Sequence, residues 1–225
     1  MIHPPDPLAD GPEDDEGAAA GERAGVPVKA ATRKRPKPGE RRVQILQTLA
    51  SMLEQPGADR VTTAALAARL EVSEAALYRH FASKAQMFEG LIEFIEQSVF
   101  TLVNQIQERE TVAAVRVRKV LTALLQFGEK NPGMVRVMVG DALVFENDRL
   151  LVRMSQFFDR IESQLRQGLR GMAEAAGSNT PTVDANARAS VLTAFAVGRL
   201  QRYARSGFKR SPTEFLDAAL RMLAS

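Results

Sequence analysis

The sequence predicts an all-α protein with a small N-terminal head and a larger helical body. Three observations carry that prediction. From Glu40 onward every segment places apolar residues at helical spacing, and none alternates as a half-buried strand would. Helix-start chemistry recurs at Ser83-Lys84-Ala85-Gln86, Asn131-Pro132, Thr180-Pro181 and Ser211-Pro212-Thr213-Glu214. Between Val61 and Phe81 the chain reads as two short helices around a tight connection.

Residues 1–39 hold Pro, Gly, Ala and charge but almost no large apolar side chain, so they cannot repay the entropy of ordering and read as a disordered tail. Its first 24 residues carry seven acids (Asp6, Asp10, Glu13, Asp14, Asp15, Glu16, Glu22) against Arg23, a net −6. From Lys29 to Arg42 seven bases stand against Glu40, a net +6. The basic half reads either as an arm that tracks phosphates or as a solvated linker.

The first helix is expected over residues 40–54, with Leu46, Leu49 and Leu53 on one face and Pro56-Gly57 ending it. Ser83 and Gln86 make a reciprocal capping box for a long helix over 84–108. Further helices are predicted over 111–130, a broken pair over 132–146, then 148–174, 182–206 and 212–223. These elements divide into a tail (1–39), a DNA-binding head (40–83) and a helical body (84–225) for dimerisation and partner binding.

Val61 to Phe81 is the informative stretch: a helix from Thr63 to Leu70, a turn through Glu71-Val72-Ser73, and a helix from Glu74 to His80 capped by Ser73. Leu66, Leu70, Val72 and Leu77 make the small core, Ala67 lets the two helices cross closely, and the first helix supplies the third wall. The second helix suits a major groove. Ala75 and Ala76 keep its leading turn slim, while Ser73, Glu74, Tyr78 and Arg79 offer polar contacts to bases or phosphates. His80 and Lys84 follow on the side facing the DNA backbone, and Thr62 and Thr63 stand where a helix N-terminus can clamp a phosphate. A purely structural helical hairpin is the competing reading of the same spacing.

At Val72-Ser73, Leu77-Tyr78-Arg79-His80-Phe81 and Ser83-Lys84 the chain resembles the TetR family of DNA-binding regulators. Glu71 departs from that pattern, standing where the family often has glycine. A left-handed backbone there costs about 1 kcal/mol, unless the turn takes another shape. The resemblance continues through Leu91-Ile92-Glu93-Phe94-Ile95-Glu96, Phe127 to Gly133, and Phe157-Phe158-Asp159-Arg160-Ile161-Glu162, segments similar to those of nucleoid occlusion factors within that family. It spans residues 41–215 and leaves out the tail. It implies a homodimer that binds palindromic double-stranded chromosomal sites and, when DNA-bound, antagonises the tubulin-like division protein FtsZ. It also implies a nucleoid-associated protein without a small-molecule ligand. A ligand-responsive repressor of the same family is the alternative.

On the long helix Leu91, Ile92, Ile95, Val99, Leu102 and Ile106 share one apolar face, whereas Phe100 falls among Glu89, Glu93 and Glu96, and Phe94 sits at the margin. Phe94 and Phe100 are therefore candidate anchors for a partner, with Leu102, Lys130 and Asn131 beside them, unless the helix is packed on two sides. Phe157, Ile161 and Leu165 of one later helix, with Leu192, Phe195 and Leu200 of the next, are expected to form a four-helix dimer interface. Either helix also reads as simple core.

Composition excludes several classes. A 45% hydrophobic content is ordinary for a globular chain, and the net charge of +3 is too small to argue for nucleic acid by itself. Cysteine is absent, so disulfides and thiolate metal sites are ruled out. No apolar run is long enough to span a membrane, and the acid-rich N-terminus lacks a signal-peptide pattern, so a cytoplasmic location is expected. With only His3 and His80, no metal cluster or catalytic triad can be built. No phosphate-binding glycine loop is present, and neither an enzyme nor a cofactor is expected.

Overall fold

The computed structural model describes residues 39–55 and 60–223. The expected disordered tail, and the Pro56-Gly57 stop, lie outside those residues apart from Gly39. Among the described residues there is no strand. The helices are α1 (Glu40–Leu53), α2 (Thr63–Arg69), α3 (Glu74–Tyr78), α4 (Lys84–Arg109), α5 (Ala113–Lys130), α6 (Pro132–Met138), α7 (Asp148–Ala175), α8 (Pro181–Arg205) and α9 (Leu216–Leu223), with a 3-10 turn at Asp141–Leu143.

The head closes as α1, α2 and α3 bury one apolar face each. Ile45, Leu49 and Leu53 meet Leu66, Ala67, Leu70, Leu77 and Phe81. Ile45, rather than Leu46, takes the innermost place on α1. Leu46 lies against Gly90 of α4, where a Cβ would stand 3.0 Å from a Leu46 methyl. The boundary expected at 83/84 falls at the Ser83 cap, and the apolar core runs across it into α4, α5 and α6.

The start signals at Ser73 and Ser83 work much as the sequence predicts. The Ser83 hydroxyl accepts from the Gln86 amide at 3.2 Å, but the Gln86 side chain accepts from the Ala82 amide, one residue before the expected partner. Prolines 132 and 181 occupy first turns, as expected from their missing N–H. Asn131 and Thr180, in contrast, donate instead of accepting: Asn131 Nδ2 to the Phe127 carbonyl at 2.8 Å, and Thr180 Oγ1 to Asp184 at 3.2 Å. The last helix begins at Leu216, four residues later than its sequence signal. The Ser211 and Thr213 hydroxyls both donate to Glu129 of α5, and Phe215 takes a left-handed φ of 52° that interrupts the helical path.

One contact fixes head to body, and a second, within the body, ties α8 to the end of α5. Gly133 in the first turn of α6 presses on the α1 backbone so closely that a Cβ would lie 2.1 Å from the Ala50 carbonyl oxygen. Tyr203 of α8 donates to the Glu129 carbonyl at 3.2 Å; burial, with Glu129 and Glu54 nearby, holds its phenol above the ordinary range and so keeps the donor proton in place.

Candidate nucleic-acid interface

The turn between α2 and α3 fixes how α3 is presented. Helix α2 ends with Glu71 at φ 55°, its amide bonded to the Ala68 carbonyl at 3.1 Å and the Val72 amide to the Ala67 carbonyl at 3.0 Å. The left-handed backbone expected of a glycine is therefore present and is carried by a glutamate. Val72 then packs half-buried on the core, and Ser73 caps α3 by accepting from the Ala76 amide at 3.3 Å.

Leu77 is wholly buried and anchors α3, which leaves Ser73, Glu74, Ala75, Tyr78, Arg79 and His80 exposed on its outer side. Thr62 caps α2, its oxygen accepting from the Ala65 amide at 3.1 Å while its O–H remains available to donate. Thr63 donates to Glu74 at 2.6 Å and ties the first turns of the two helices together. Sequence reasoning missed Arg42, whose guanidinium donates to the His80 carbonyl at 3.0 Å and lies 4.1 Å from the Phe81 ring centroid. This side chain holds the end of α3 from a distance of 38 residues in sequence, with no local signal to reveal it.

Lys84 does not stand free toward the DNA side. Its ammonium is ion-paired with Glu146, brought underneath by the segment that leads into α7. Its charge is engaged in tying the first turn of α4 to that segment.

The expected partner residues separate. Phe94 is 46% exposed, 6.3 Å from the Phe127 ring centroid, and Asn131 is bonded to the Phe127 carbonyl, which places both beside the C-terminal end of α5, where Lys130 is exposed. Leu102 is 40% exposed rather than buried, and Val103 takes its expected place in the core. Phe100 is not an exposed anchor. It packs edge-on against Phe157 at 5.5 Å, with the Arg160 guanidinium 3.8 Å from its ring centroid. The reason is that α7 covers the acidic face of α4: Arg149 pairs with Glu89 at 2.5 Å, and Arg153 holds both oxygens of Glu96 at 2.5 and 3.1 Å. That hydrogen bonding raises the pKa of Arg153 further. The helix is thus packed on two sides.

Five of the six side chains expected to face a second copy are covered within one chain. Phe157, Ile161, Leu165, Leu192 and Leu200 are fully buried within one chain, where α7 and α8 pack on each other, and Phe195 is half-buried beneath Arg199. The outward face instead carries Val152, Val191, Ala194 and Gly198.

Residues 45–91 match the family described as bacterial regulatory proteins, tetR family, and residues 110–225 match the tetracyclin repressor-like C-terminal domain of SlmA type. The chain is 52% identical over 190 residues to the nucleoid occlusion factor SlmA of Photobacterium profundum, covering 84% of this chain and 96% of the relative. It is 50% identical to the SlmA of Salmonella dublin, over 82% of this chain and 93% of that protein. The chain belongs to the SlmA family.

Solved structures agree at the level of fold. The fatty acid degradation regulator FadR from Bacillus halodurans superposes with a TM-score of 0.67 at 13% identity, over 84% of this chain and 97% of that one. AibR, solved with isovaleryl coenzyme A and operator DNA, superposes with a TM-score of 0.64 at 16% identity, over 81% of this chain and 97% of that one. As a member of the SlmA family with a TetR-type head, the chain is a DNA-binding protein. Among the described residues no helix is long and apolar enough to cross a membrane.

Proposed function

We propose that this SlmA-family protein acts in nucleoid occlusion: as a dimer it binds palindromic chromosomal sites and, while bound, antagonises assembly of FtsZ. The reading is carried by half-identity to SlmA factors that extends through both head and body. In the head, exposed Ser73, Glu74, Ala75, Tyr78 and Arg79 would enter the major groove, with Thr62, Thr63 and His80 at the backbone. Lys84 joins them only if a phosphate displaces Glu146.

Dimerisation would use the outer face of α7 and α8. Gly198 there has open space where a Cβ would be, which permits close approach of a second helix. The surface around Phe94, Lys130 and Asn131, with Leu102 further along α4, would take the FtsZ segment.

The test is light scattering of FtsZ with GTP, adding this protein alone, with palindromic DNA and with scrambled DNA. Antagonism that needs the palindrome supports the reading, and Phe94→Ala should then abolish it while sparing DNA affinity. Palindrome binding without any effect on assembly would point to a repressor instead.

A further inference from the structure

The segment that joins α8 to α9 is held with unusual firmness for a surface connection. Ser206 donates to the Tyr203 carbonyl at 2.9 Å and accepts from the Lys209 and Arg210 amides at 3.1 and 2.9 Å. Ser211 and Thr213 are fastened to Glu129. Phe208 lies edge-on to Tyr203 at 5.2 Å, with Arg136 above it at 5.3 Å. Three residues of this short stretch have positive φ: Gly207 (62°), Phe208 (63°) and Phe215 (52°). Phe208 gains packing for its strain. Phe215 gains none, since its side chain is 76% exposed. A bulky residue kept left-handed with its ring in water is the kind of outlier that marks a binding surface.

The frame carries charge. Arg199, Arg202, Lys209 and Arg210 line a cleft of about 650 Å³ with Ser211 and Phe215, and Glu214 is the one acid on its rim. Among the described residues none of these four bases is ion-paired. Beside exposed Phe215, which immediately precedes α9, the outer face of that helix exposes Ala218 and Met222, the latter 82% exposed, one turn apart. The inner face is already satisfied by Leu216 and Leu220.

We propose that the cleft and this apolar surface together dock an acidic amphipathic segment of a partner protein. Its carboxylates would sit among the four bases and its apolar stripe along Phe215, Ala218 and Met222. Three of the four bases are arginines, whose planar forks match carboxylates. The bases line a concavity rather than a flat face, which disfavours duplex DNA and a lipid surface. The fixed backbone reduces the ordering cost that a mobile loop would bear on binding.

The experiment uses the full chain bound to duplex DNA, so that the head is occupied. Fluorescence anisotropy follows a labelled Glu- and Leu-containing peptide with Leu at i, i+3, i+4 and i+7, against a scrambled peptide of equal charge; sedimentation with phosphatidylglycerol vesicles runs in parallel. The patterned peptide should bind more tightly than the scrambled one. Joint Lys209→Glu and Arg210→Glu should weaken it by about tenfold or more, and added salt should weaken it further. Phe215→Gly separates a site from a merely structural residue, because relief of the left-handed strain should raise thermal stability while peptide affinity falls. Equal binding of both peptides, or insensitivity to the charge reversals, overturns the proposal. So does recruitment to vesicles that depends on Phe215 while the peptide fails to bind.

Discussion

Replacing Glu71 by glycine and, in parallel, by alanine isolates what a left-handed residue costs the helix-turn-helix. The two hydrogen bonds that end α2 around Glu71 recur at the end of α7, where Gly177 has φ 75°, and at the end of α8, where Gly207 has φ 62°. One backbone conformation is thus used three times, twice with glycine and once with glutamate. An L side chain in that region costs about 1–2 kcal/mol. Glycine returns about 0.5–1 kcal/mol through the greater freedom of its unfolded chain. Glu71→Gly should therefore be more stable than Glu71→Ala by about 1 kcal/mol. Both variants remove the carboxylate with whatever it contacts, so their difference reports the backbone alone. In a chain of 225 residues that difference shifts Tm by about 2–4 °C, and urea midpoints at unchanged slope would give the same free energy. Gly177→Ala and Gly207→Ala should lose a similar amount, because at neither does a Cβ meet an atom within 4 Å. Equal stability of the two Glu71 variants would refute the reasoning.

Gly133→Ala must move α6 off the Ala50 carbonyl and should cost about 3 kcal/mol or more by urea denaturation. Gly171→Ala, mid-helix in α7 with open space for its methyl, should gain about 1 kcal/mol in the same assay. The Thr193 hydroxyl is buried with no hydrogen-bond partner, so Thr193→Val should raise Tm, by an amount equivalent to about 1 kcal/mol. Gly198→Arg should leave the fold intact yet block the proposed dimer; a sedimentation coefficient unchanged from that of the native protein would remove the α7–α8 face from consideration.

What could be read along the chain depended on how far apart the interacting groups lie. The Ser73 and Ser83 caps act within three residues, so sequence spacing identified them, and the buried faces of α2 and α3 followed from period alone. The grip of Arg42 on His80 spans 38 positions, and that of Lys84 on Glu146 spans 62, so neither left a local trace. Phe100 shows the same limit from the other side. Its own helix wheel places it among acids, which reads as solvent exposure, until α7 supplies arginines for those acids and Phe157 for the ring. The α7 and α8 stripes show a related limit, because an apolar stripe says that a helix is covered and not by which chain.

The sequence by itself determined the all-α class, the order of the helices, the helix-turn-helix with its exposed α3 residues, and the family. Those follow from period, capping and motif, which act between near neighbours. Tertiary structure alone decided that Glu71 bears a glycine's backbone, that the last helix waits until Leu216, and that Lys84 is turned to Glu146. It also decided which faces of α4, α7 and α8 remain open. Each of these depends on a side chain or backbone delivered by a distant segment, and the free energy of such a contact is absent until the chain has closed around it.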